Sequence, residues 1–192
     1  MRHLTGRGVV VAVGHSQATA DEVDRAVTAG ASSVTHLFNA MSPLHHREPG
    51  VAGRALSDER LDVGLIVDGI HVDPSVVAVA ERALGERLVL VSDAVALLGV
   101  DGVDTSRGVR LPDGTLAGSV LPLVSAVANL VAFSDCSPER ALHAASTRPA
   151  EVLHDRDRGT LASGARADLV VLTPDLDLRT TIVGGAVLHH AV

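Results

Sequence analysis

The sequence contains no lysine, no tryptophan and no tyrosine, and its only aromatic residues are Phe38 and Phe133. Without lysine, the chain lacks both the phosphate-binding amine of a P-loop nucleotidase and the amine of a Schiff-base enzyme. Binding of single-stranded nucleic acid normally needs stacking aromatics and a basic groove, whereas this chain has a formal net charge of −7. We therefore expect no nucleic-acid partner.

Cysteine and long apolar runs are also scarce. The single cysteine, Cys136, cannot form an internal disulfide, so the sequence does not require an oxidising compartment. No apolar run reaches the roughly 18 residues of a membrane-spanning helix, and residues 1–8 lack the cleavage pattern of a secretory signal. Since 46% of the residues are hydrophobic, the chain can still bury a core. We predict a cytoplasmic protein with no membrane partner.

Short apolar runs alternate with helical patterns along the chain. Runs that are apolar almost throughout are typical of strands buried on both faces of a parallel sheet. Such a run occurs at 9–13, and further strands are predicted at 33–37, 63–68 and 88–93. Helices are predicted from the Thr19–Glu22 capping box to Gly30 and from Pro74 to Gly85. Later helices are predicted at 116–134, 138–145 and 149–153, with loops or hairpins at 38–54 and 99–118.

This alternation predicts an α/β fold with parallel strands joined by right-handed crossovers. The last part of the chain differs, because two strand-like runs at 167–172 and 180–183 flank a turn at Pro174. We therefore divide the chain into an α/β part, residues 1–158, and a small β tail, residues 159–192.

Polar residues that can carry chemistry stand where the predicted strands end. His15, His36 and Asp93 each end an apolar strand or follow it by a residue or two, and Asp68 ends another, with His71 three residues later. In parallel α/β folds, ligands and catalysis collect at this edge of the sheet. Two imidazoles on adjacent strands can share a metal ion, and a nearby carboxylate can handle a proton of the attacking water.

Spacing alone leaves a second interpretation open. A lone histidine at a strand end is more often a hydrogen-bonded structural residue than a metal ligand, and Asp68 or Arg47 on its own would pass as a turn cap or a solvated loop charge. The remaining histidines have no such placement and are interpreted as surface or loop residues: His3, His45, His46, His143, His154, His189 and His190.

A series of strings carries a family resemblance. Gly-His-Ser-Gln-Ala-Thr occurs at 14–19, and the highly specific Thr-His-Leu-Phe-Asn-Ala-Met at 35–41. In order, there follow Arg-Glu-Pro-Gly, Asp-Gly-Ile-His-Val, Ser-Asp-Ala, Leu-Ala-Gly-Ser, Pro-Ala and Gly-Ala-Arg-Ala-Asp-Leu-Val, at 47–50, 68–72, 92–94, 116–119, 149–150 and 164–170. From about Gly8 onward the chain resembles the N-acetylglucosamine-6-phosphate deacetylases of the amidohydrolase superfamily. The resemblance implies the C-terminal half of a (β/α)₈ TIM-type barrel, with about four parallel strands, plus the last strands of a small β-sandwich domain.

The resemblance also implies roles for individual residues. His15 and His36 would bind one divalent metal ion, with zinc foremost and iron, cobalt or nickel as alternatives. Asp93 would be the acid/base in hydrolysis of the acetamide, which yields glucosamine 6-phosphate and acetate. The sugar phosphate would be held by Asn39, Ala40, Arg47 and His71, and the pocket lined by Asp68, Gly69, Ile70, His71, Leu116, Ala117 and Gly118. Arg47 would reach the neighbouring site of a homodimer, where its guanidinium can grip phosphate oxygens in a two-pronged fork.

The sequence departs from the family in its length. A complete barrel takes roughly 250 residues, and this chain lacks both the His-Leu-Glu-Gly-Pro string that carries a glutamate ligand and the histidine that polarises the acetamide carbonyl. We expect a truncated product or a fragment, with exposed strand edges at 9–13 and 88–91, and therefore reduced activity of the chain alone.

Two other functions remain open at this point. The chain could be a non-catalytic sugar-phosphate-binding module that keeps Arg47 and His71, or another amidohydrolase acting on a cyclic amide or an adenine. The Leu-Phe-Asn-Ala-Met and Asp-Gly-Ile-His strings argue against the second. The absence of lysine excludes a two-metal centre bridged by carbamylated lysine from this chain.

Overall fold

The computed structural model describes residues 1–98 and 108–191. Four parallel strands form one sheet, in the order in which they occur along the chain. Their bounds are β1 (Ala12–Val13), β2 (Ser33–Val34), β3 (Asp62–Leu65) and β4 (Leu88–Leu90). This sequential order is the one that successive crossovers of the same hand produce. The predicted α/β fold with four parallel strands is therefore confirmed.

Helices connect the strands and continue after the last one. They are α1 (Arg2–Thr5), α2 (Ala20–Thr28), α3 (Gly50–Ser57), α4 (Pro74–Leu84), α5 (Leu123–Ser134), α6 (Pro138–Leu142) and α7 (Arg148–Val152). The predicted capping box is present, because the Thr19 hydroxyl accepts from Glu22 N and the Glu22 carboxylate accepts from Thr19 N. Asp73 caps α4 by accepting from Ser75 N at 2.8 Å.

Two helix predictions need correction. The loop predicted over 38–54 contains the first turns of α3, whose Val51, Ala52 and Ala55 are fully buried. Two glycines lower the helix propensity of this segment, so core packing rather than local preference stabilises it. Conversely, α5 begins at Leu123 and not at 116, because Pro122 forms its N-cap and the preceding residues are extended.

The core lies between the sheet and the crossover helices. The largest fully buried side chains come from both layers and include Leu37, Leu61, Leu65, Ile66, Leu88 and Leu130. The opposite face of the sheet is an open groove of about 220 Å³, lined by Ala12, Thr35, Gly64 and Val89 and bordered by Leu153. Within the described residues, β1 and β4 are the edges of this sheet, as expected from the four predicted strands.

The β tail forms a separate antiparallel sheet of β5 (Leu169–Leu172), β6 (Leu178–Val183) and β7 (Ala186–His190). Strand β7 was not predicted, and His189 and His190 pair with β6 rather than hanging free at the terminus. The missed signal is Gly184-Gly185, since both residues adopt the positive φ that a tight hairpin turn requires. The division into residues 1–158 and 159–192 stays a prediction.

The predicted loop over 99–118 lies only partly within the described residues. From 108 onward it forms a hairpin, in which Arg110 and Leu116 make an antiparallel bridge and Leu111 N donates to Thr115 O at 2.9 Å. The segment 99–107 lies outside the described residues. Among the helices that are described, none combines the length and the apolar character needed to cross a membrane.

Candidate active site

The pairing of β1 with β2 brings His15 and His36 together. Each residue of β1 pairs with the residue 21 positions later in β2, and the same offset separates His15 from His36. The ladder continues past the strands, because Thr35 N donates to Val13 O at 3.0 Å. The two imidazole rings lie with their centroids 4.9 Å apart and their planes at 77°. The predicted pair of imidazoles is thus in direct contact.

The two rings differ in their surroundings. His15 is exposed, whereas His36 is buried, and its Nδ1 has no hydrogen-bond partner within the described residues. A buried polar atom without a partner is costly, and a bound cation would relieve that cost. The imidazole pair therefore fits a divalent metal that accepts nitrogen ligands, with His15 and His36 as two of its ligands.

The described residues supply no further ligand for such an ion. Across 1–98 and 108–191, no three histidine, cysteine, aspartate or glutamate side chains are close enough together to hold a metal. Asp93 lies at the same edge of the sheet but does not join the two histidines in such a group. Two ligands alone leave half of a tetrahedral coordination sphere open.

Backbone strain is concentrated at this edge of the sheet. His15, His36 and Asp93 have φ values of +44°, +30° and +49°, and Phe38 and Ala40, just after β2, are also positive at +74° and +50°. Residues with a Cβ avoid this left-handed region, and deviations of this kind cluster at functional sites. The turn from strand to loop is therefore made by the predicted site residues themselves.

Asp93 is exposed, and Ser119 holds its backbone in place. Ser119 N donates to Asp93 O at 2.8 Å, and the buried Ser119 hydroxyl donates to the carbonyl of Ser92. Gly118 has φ +87°, and a Cβ there would lie 2.8 Å from Asp93 O. The hairpin that ends in Leu116, Ala117 and Gly118 thus reaches the predicted acid/base, as expected for a pocket wall.

Asp68 and His71 form a pair after β3. Asp68 Oδ2 lies 2.6 Å from His71 Nδ1, and both side chains are almost fully buried. Gly69, between them, has φ +72°. Ile70 reaches towards the hairpin, because a Cβ on Gly108 would lie 3.2 Å from Ile70 Cγ2 and 2.7 Å from Leu116 Cδ2. Two predicted pocket segments therefore approach each other.

The loop after β2 carries the other predicted sugar-phosphate residues. Asn39 Nδ2 donates to Leu37 O at 3.1 Å, so this amide supports its own turn, while Ala40 is exposed. Arg47 is also exposed and has no ion-pair partner within the described residues. The structure thus leaves the Arg47 side chain in solvent, away from any contact with the imidazole pair.

Ser42 and Ser119 are two supporting residues that were not predicted. Ser42 N donates to Ser16 O at 3.0 Å and its hydroxyl donates to Ala18 O at 2.6 Å, which ties the loop after β2 to the loop after β1. Ser119 ties the end of the hairpin to the loop after β4 through its hydrogen bonds to Ser92 and Asp93. A serine within a turn has no distinctive spacing, so the sequence carried no signal for either role.

His143 was interpreted as a loop or surface residue, but it lies in a π-helical segment, His143–Thr147, between α6 and α7. Its Nδ1 is 3.3 Å from a carboxylate oxygen of Glu86. This contact lies outside the candidate site, on the 3₁₀ turn Gly85–Arg87 that precedes β4. It lacks hydrogen-bond geometry, since His143 Nδ1 has no hydrogen-bond partner within the described residues.

The fold and the site define an α/β protein with a pair of imidazoles at the carboxyl edge of its four parallel strands. The sequence model described as "Amidohydrolase family" matches residues 2–188. The chain belongs to this amidohydrolase family.

Similar proteins are named as deacetylases of amino-sugar phosphates. An N-acetylglucosamine-6-phosphate deacetylase of Bos taurus is 40% identical over 96% of this chain and 49% of its own length. An N-acetylgalactosamine-6-phosphate deacetylase of Escherichia coli O157:H7 is 39% identical over 96% of this chain and 52% of its own length. The crystal structure of N-acetylglucosamine-6-phosphate deacetylase from Thermotoga maritima matches with a TM-score of 0.92 and 35% identity, over 99% of this chain and 55% of that one.

Two conclusions follow from these comparisons. The predicted fold is confirmed, because the four parallel strands and the three-stranded sheet match part of the barrel and the β domain of a deacetylase structure. The chain spans about half the length of the curated relatives that it matches.

Proposed function

We propose that this chain provides the metal-binding, proton-transfer and phosphate-binding residues of an N-acetylglucosamine-6-phosphate deacetylase. The observation that carries the proposal is the contact between the His15 and His36 rings, at the strand edge that also presents Asp93. The relatives named as deacetylases of 6-phosphorylated amino sugars support the choice of substrate.

His15 and His36 would hold one divalent ion, for which zinc is proposed and iron, cobalt or nickel also suit imidazole ligands. When bound, such an ion supplies Lewis-acid activation for amide hydrolysis. The unpartnered, buried His36 Nδ1 supports a cation at this position. A third protein ligand would come from a residue other than His15 and His36.

Asp93 would carry the proton. Its carboxylate takes a proton from the water that attacks the acetamide carbonyl, and a carbon–oxygen bond forms. It then gives the proton to the amine nitrogen as the carbon–nitrogen bond breaks, which leaves glucosamine 6-phosphate and acetate. An exposed carboxylate held at its backbone by Ser119 suits this role, because it must change protonation state twice in each turnover.

The sugar phosphate would lie against two segments. The loop after β2 offers Asn39 and Ala40. The turn after β3, with Asp68, Gly69, Ile70 and His71, would line the pocket together with Leu116, Ala117 and Gly118. The approach of Ile70 to Leu116 supports this arrangement.

Arg47 would act across a homodimer interface, on the phosphate in the neighbouring subunit. Its exposure on a loop, without an ion pair in the described chain, supports a partner outside its own subunit. Sedimentation analysis checks the dimer. A cytoplasmic location is also proposed, since a phosphorylated sugar carries a charge that keeps it from crossing a membrane.

Metal content tests the site without requiring activity. The chain is purified with zinc and its bound metal is measured by mass spectrometry. We expect zinc in the wild type and its loss in His36→Ala, while His46→Ala, which removes an exposed loop histidine, serves as the matched control. Equal metal content in His36→Ala and the wild type would contradict the assignment.

Activity is tested in a chimera that joins this chain to the part of the Thermotoga maritima enzyme that it does not cover. We expect release of acetate from N-acetylglucosamine 6-phosphate, with a decrease of about 10² to 10⁴ in Asp93→Asn, as for loss of a general acid/base. N-acetylgalactosamine 6-phosphate is assayed in parallel to compare the two epimers. Unchanged turnover in Asp93→Asn would refute the proton-transfer role.

A non-catalytic sugar-phosphate-binding module is the second candidate, and the absence of three grouped metal ligands among the described residues favours it. It predicts that the chain binds the sugar phosphate equally well with and without zinc. It also predicts that the chimera releases no acetate.

A further inference from the structure

Asp68 and His71 form a buried, hydrogen-bonded pair next to the predicted acid/base. The pairing of β3 with β4 joins residues 25 positions apart, and the same offset separates Asp68 from Asp93. Val91 N donates to Leu65 O at 3.1 Å, so the ladder extends one residue past the end of β4. The pair therefore follows β3 at the level where Asp93 follows β4.

Within the described residues, the hydrogen bonds that Asp68 accepts all come from its own turn. Oδ1 accepts from Ile70 N at 2.9 Å and from His71 N at 2.8 Å, and Oδ2 lies 2.6 Å from His71 Nδ1. The side chains of Asp68 and His71 are only 8% and 4% exposed. An ionised carboxylate can only accept hydrogen bonds, so His71 Nδ1 must carry the proton in this contact.

The protonation of Nδ1 decides what His71 offers to a ligand. Nε2 is then the ring nitrogen that remains for other contacts. In the described part of the chain, Nε2 does not belong to the buried polar atoms without a hydrogen-bond partner. The turn itself is fixed from two sides. Asn129 Nδ2 donates to Val67 O at 2.8 Å, and a Cβ on Gly69 would meet the Phe133 ring at 3.5 Å.

We propose that Asp68 is a positioning residue for His71: it fixes the ring and keeps the proton on Nδ1, so that Nε2 is the atom presented to the sugar phosphate. This inference rests on the proposed function, which assigns His71 to the substrate. A phosphate oxygen accepts hydrogen bonds, so His71 donates from Nε2 in the complex and carries both protons. The carboxylate of Asp68 compensates the resulting positive charge, which makes the contact with phosphate a charge-assisted hydrogen bond.

The tautomer of His71 is the direct test. The 19.7 kDa chain is labelled with ¹⁵N, and long-range nitrogen–proton correlations are recorded for its histidine rings without ligand. The His71 signals are those that disappear in His71→Asn. We expect a proton on Nδ1 in the wild type. In Asp68→Asn the amide group donates to Nδ1, so we expect the proton on Nε2.

Asp73→Asn is the matched control. Asp73 also accepts a backbone N–H in a turn, from Ser75, but caps a helix rather than a histidine. We expect the His71 signals to be the same in this variant and in the wild type. An unprotonated Nδ1 in the wild type would overturn the proposal, and this result does not depend on whether Asp68→Asn folds.

Binding separates the two proposals. Titration with N-acetylglucosamine 6-phosphate is expected to show an affinity about tenfold weaker in Asp68→Asn than in the wild type, because a neutral hydrogen bond replaces a charge-assisted one. If the wild type shows the Nδ1 proton but does not bind the sugar phosphate, the substrate assignment is wrong and the positioning of His71 by Asp68 stands. Equal affinities of the two proteins would show that Asp68 has no influence on binding through His71.

Discussion

The left-handed backbone at His15 makes a specific prediction about stability. His15 has φ +44° and an exposed side chain, so its replacement removes little packing. In this region a residue with a Cβ destabilises the folded state by about 1–2 kcal/mol, whereas glycine does not. Glycine in turn lowers the free energy of unfolding by about 0.5–1 kcal/mol, because it gives the unfolded chain greater conformational freedom. We therefore expect His15→Gly to be more stable than His15→Ala by about 0.5–1 kcal/mol.

Gln17 provides the control for this comparison. It is exposed, lies in the same loop and does not have a positive φ. At this position only the entropic term applies, so Gln17→Gly is expected to be less stable than Gln17→Ala by about 0.5–1 kcal/mol. Subtracting one comparison from the other cancels the entropic term. The remainder, about 1–2 kcal/mol, is the cost of the left-handed backbone at His15.

Urea denaturation of the four variants measures these differences, and thermal unfolding checks them at roughly 2–4 °C for each kcal/mol in a domain of this size. If glycine and alanine differ by the same amount and sign at both positions, His15 carries no backbone strain and the reasoning fails. We expect His15→Gly to bind less zinc than the wild type although it is more stable than His15→Ala. That combination would show a residue kept for binding at the expense of folding.

Two further predictions concern stability. Gly118→Ala is expected to lower the free energy of unfolding, measured by urea denaturation, by at least about 1 kcal/mol more than Gly114→Ala. Both positions have a φ near +88°, but only at Gly118 would a Cβ meet the Asp93 carbonyl. Equal losses of stability would exclude that contact as the cause. The hydrogen-bonded Arg60 guanidinium lowers the pKa of Asp58 from 3.8 to about 2. A lowered pKa stabilises the fold above pH 3.8, and this contribution is lost as the pH falls towards 2. We therefore expect Arg60→Ala to reduce the loss of stability measured by circular dichroism between pH 4 and pH 2, and an unchanged acid dependence would contradict the role of Arg60.

The sequence was sufficient to predict the four parallel strands and two strands of the β tail, but it missed β7 and did not predict where the strands end. The apolar run at 9–13 predicts five strand residues, and only Ala12–Val13 pair as a strand. Hydrophobicity reports burial, whereas pairing stops where a neighbouring backbone ends or turns, and that depends on strands far away in the sequence. Helix α3 was missed for a related reason, since its glycines give it a low helix propensity and packing in the core stabilises it.

The contact of His15 with His36 was predictable in kind, since both follow adjacent strands, but its closeness depends on register. A shift of one residue in the register between β1 and β2 would no longer place the two imidazole rings next to each other. The support of Asp93 by Ser119 was beyond the reach of the sequence, because the two residues lie 26 positions apart and only the folded backbone brings them together. The roles of the site residues stay predictions until the proposed variants are measured.

The distribution of strain gives an independent argument that this edge of the sheet is a functional site. Five residues with a Cβ adopt positive φ just after β1, β2 or β4: His15, His36, Phe38, Ala40 and Asp93. At about 1–2 kcal/mol each they cost roughly 5–10 kcal/mol, which is comparable to the net stability of a typical domain. Glycine would remove part of this cost, and the chain uses it at positive φ at other turns, such as Gly184 and Gly185, although Asp135, His154 and Leu176 also adopt positive φ away from this edge. Selection for folding alone would favour glycine at these five positions, by about 0.5–1 kcal/mol each. Imidazole and carboxylate side chains at three of them are therefore best explained by chemistry that glycine cannot perform.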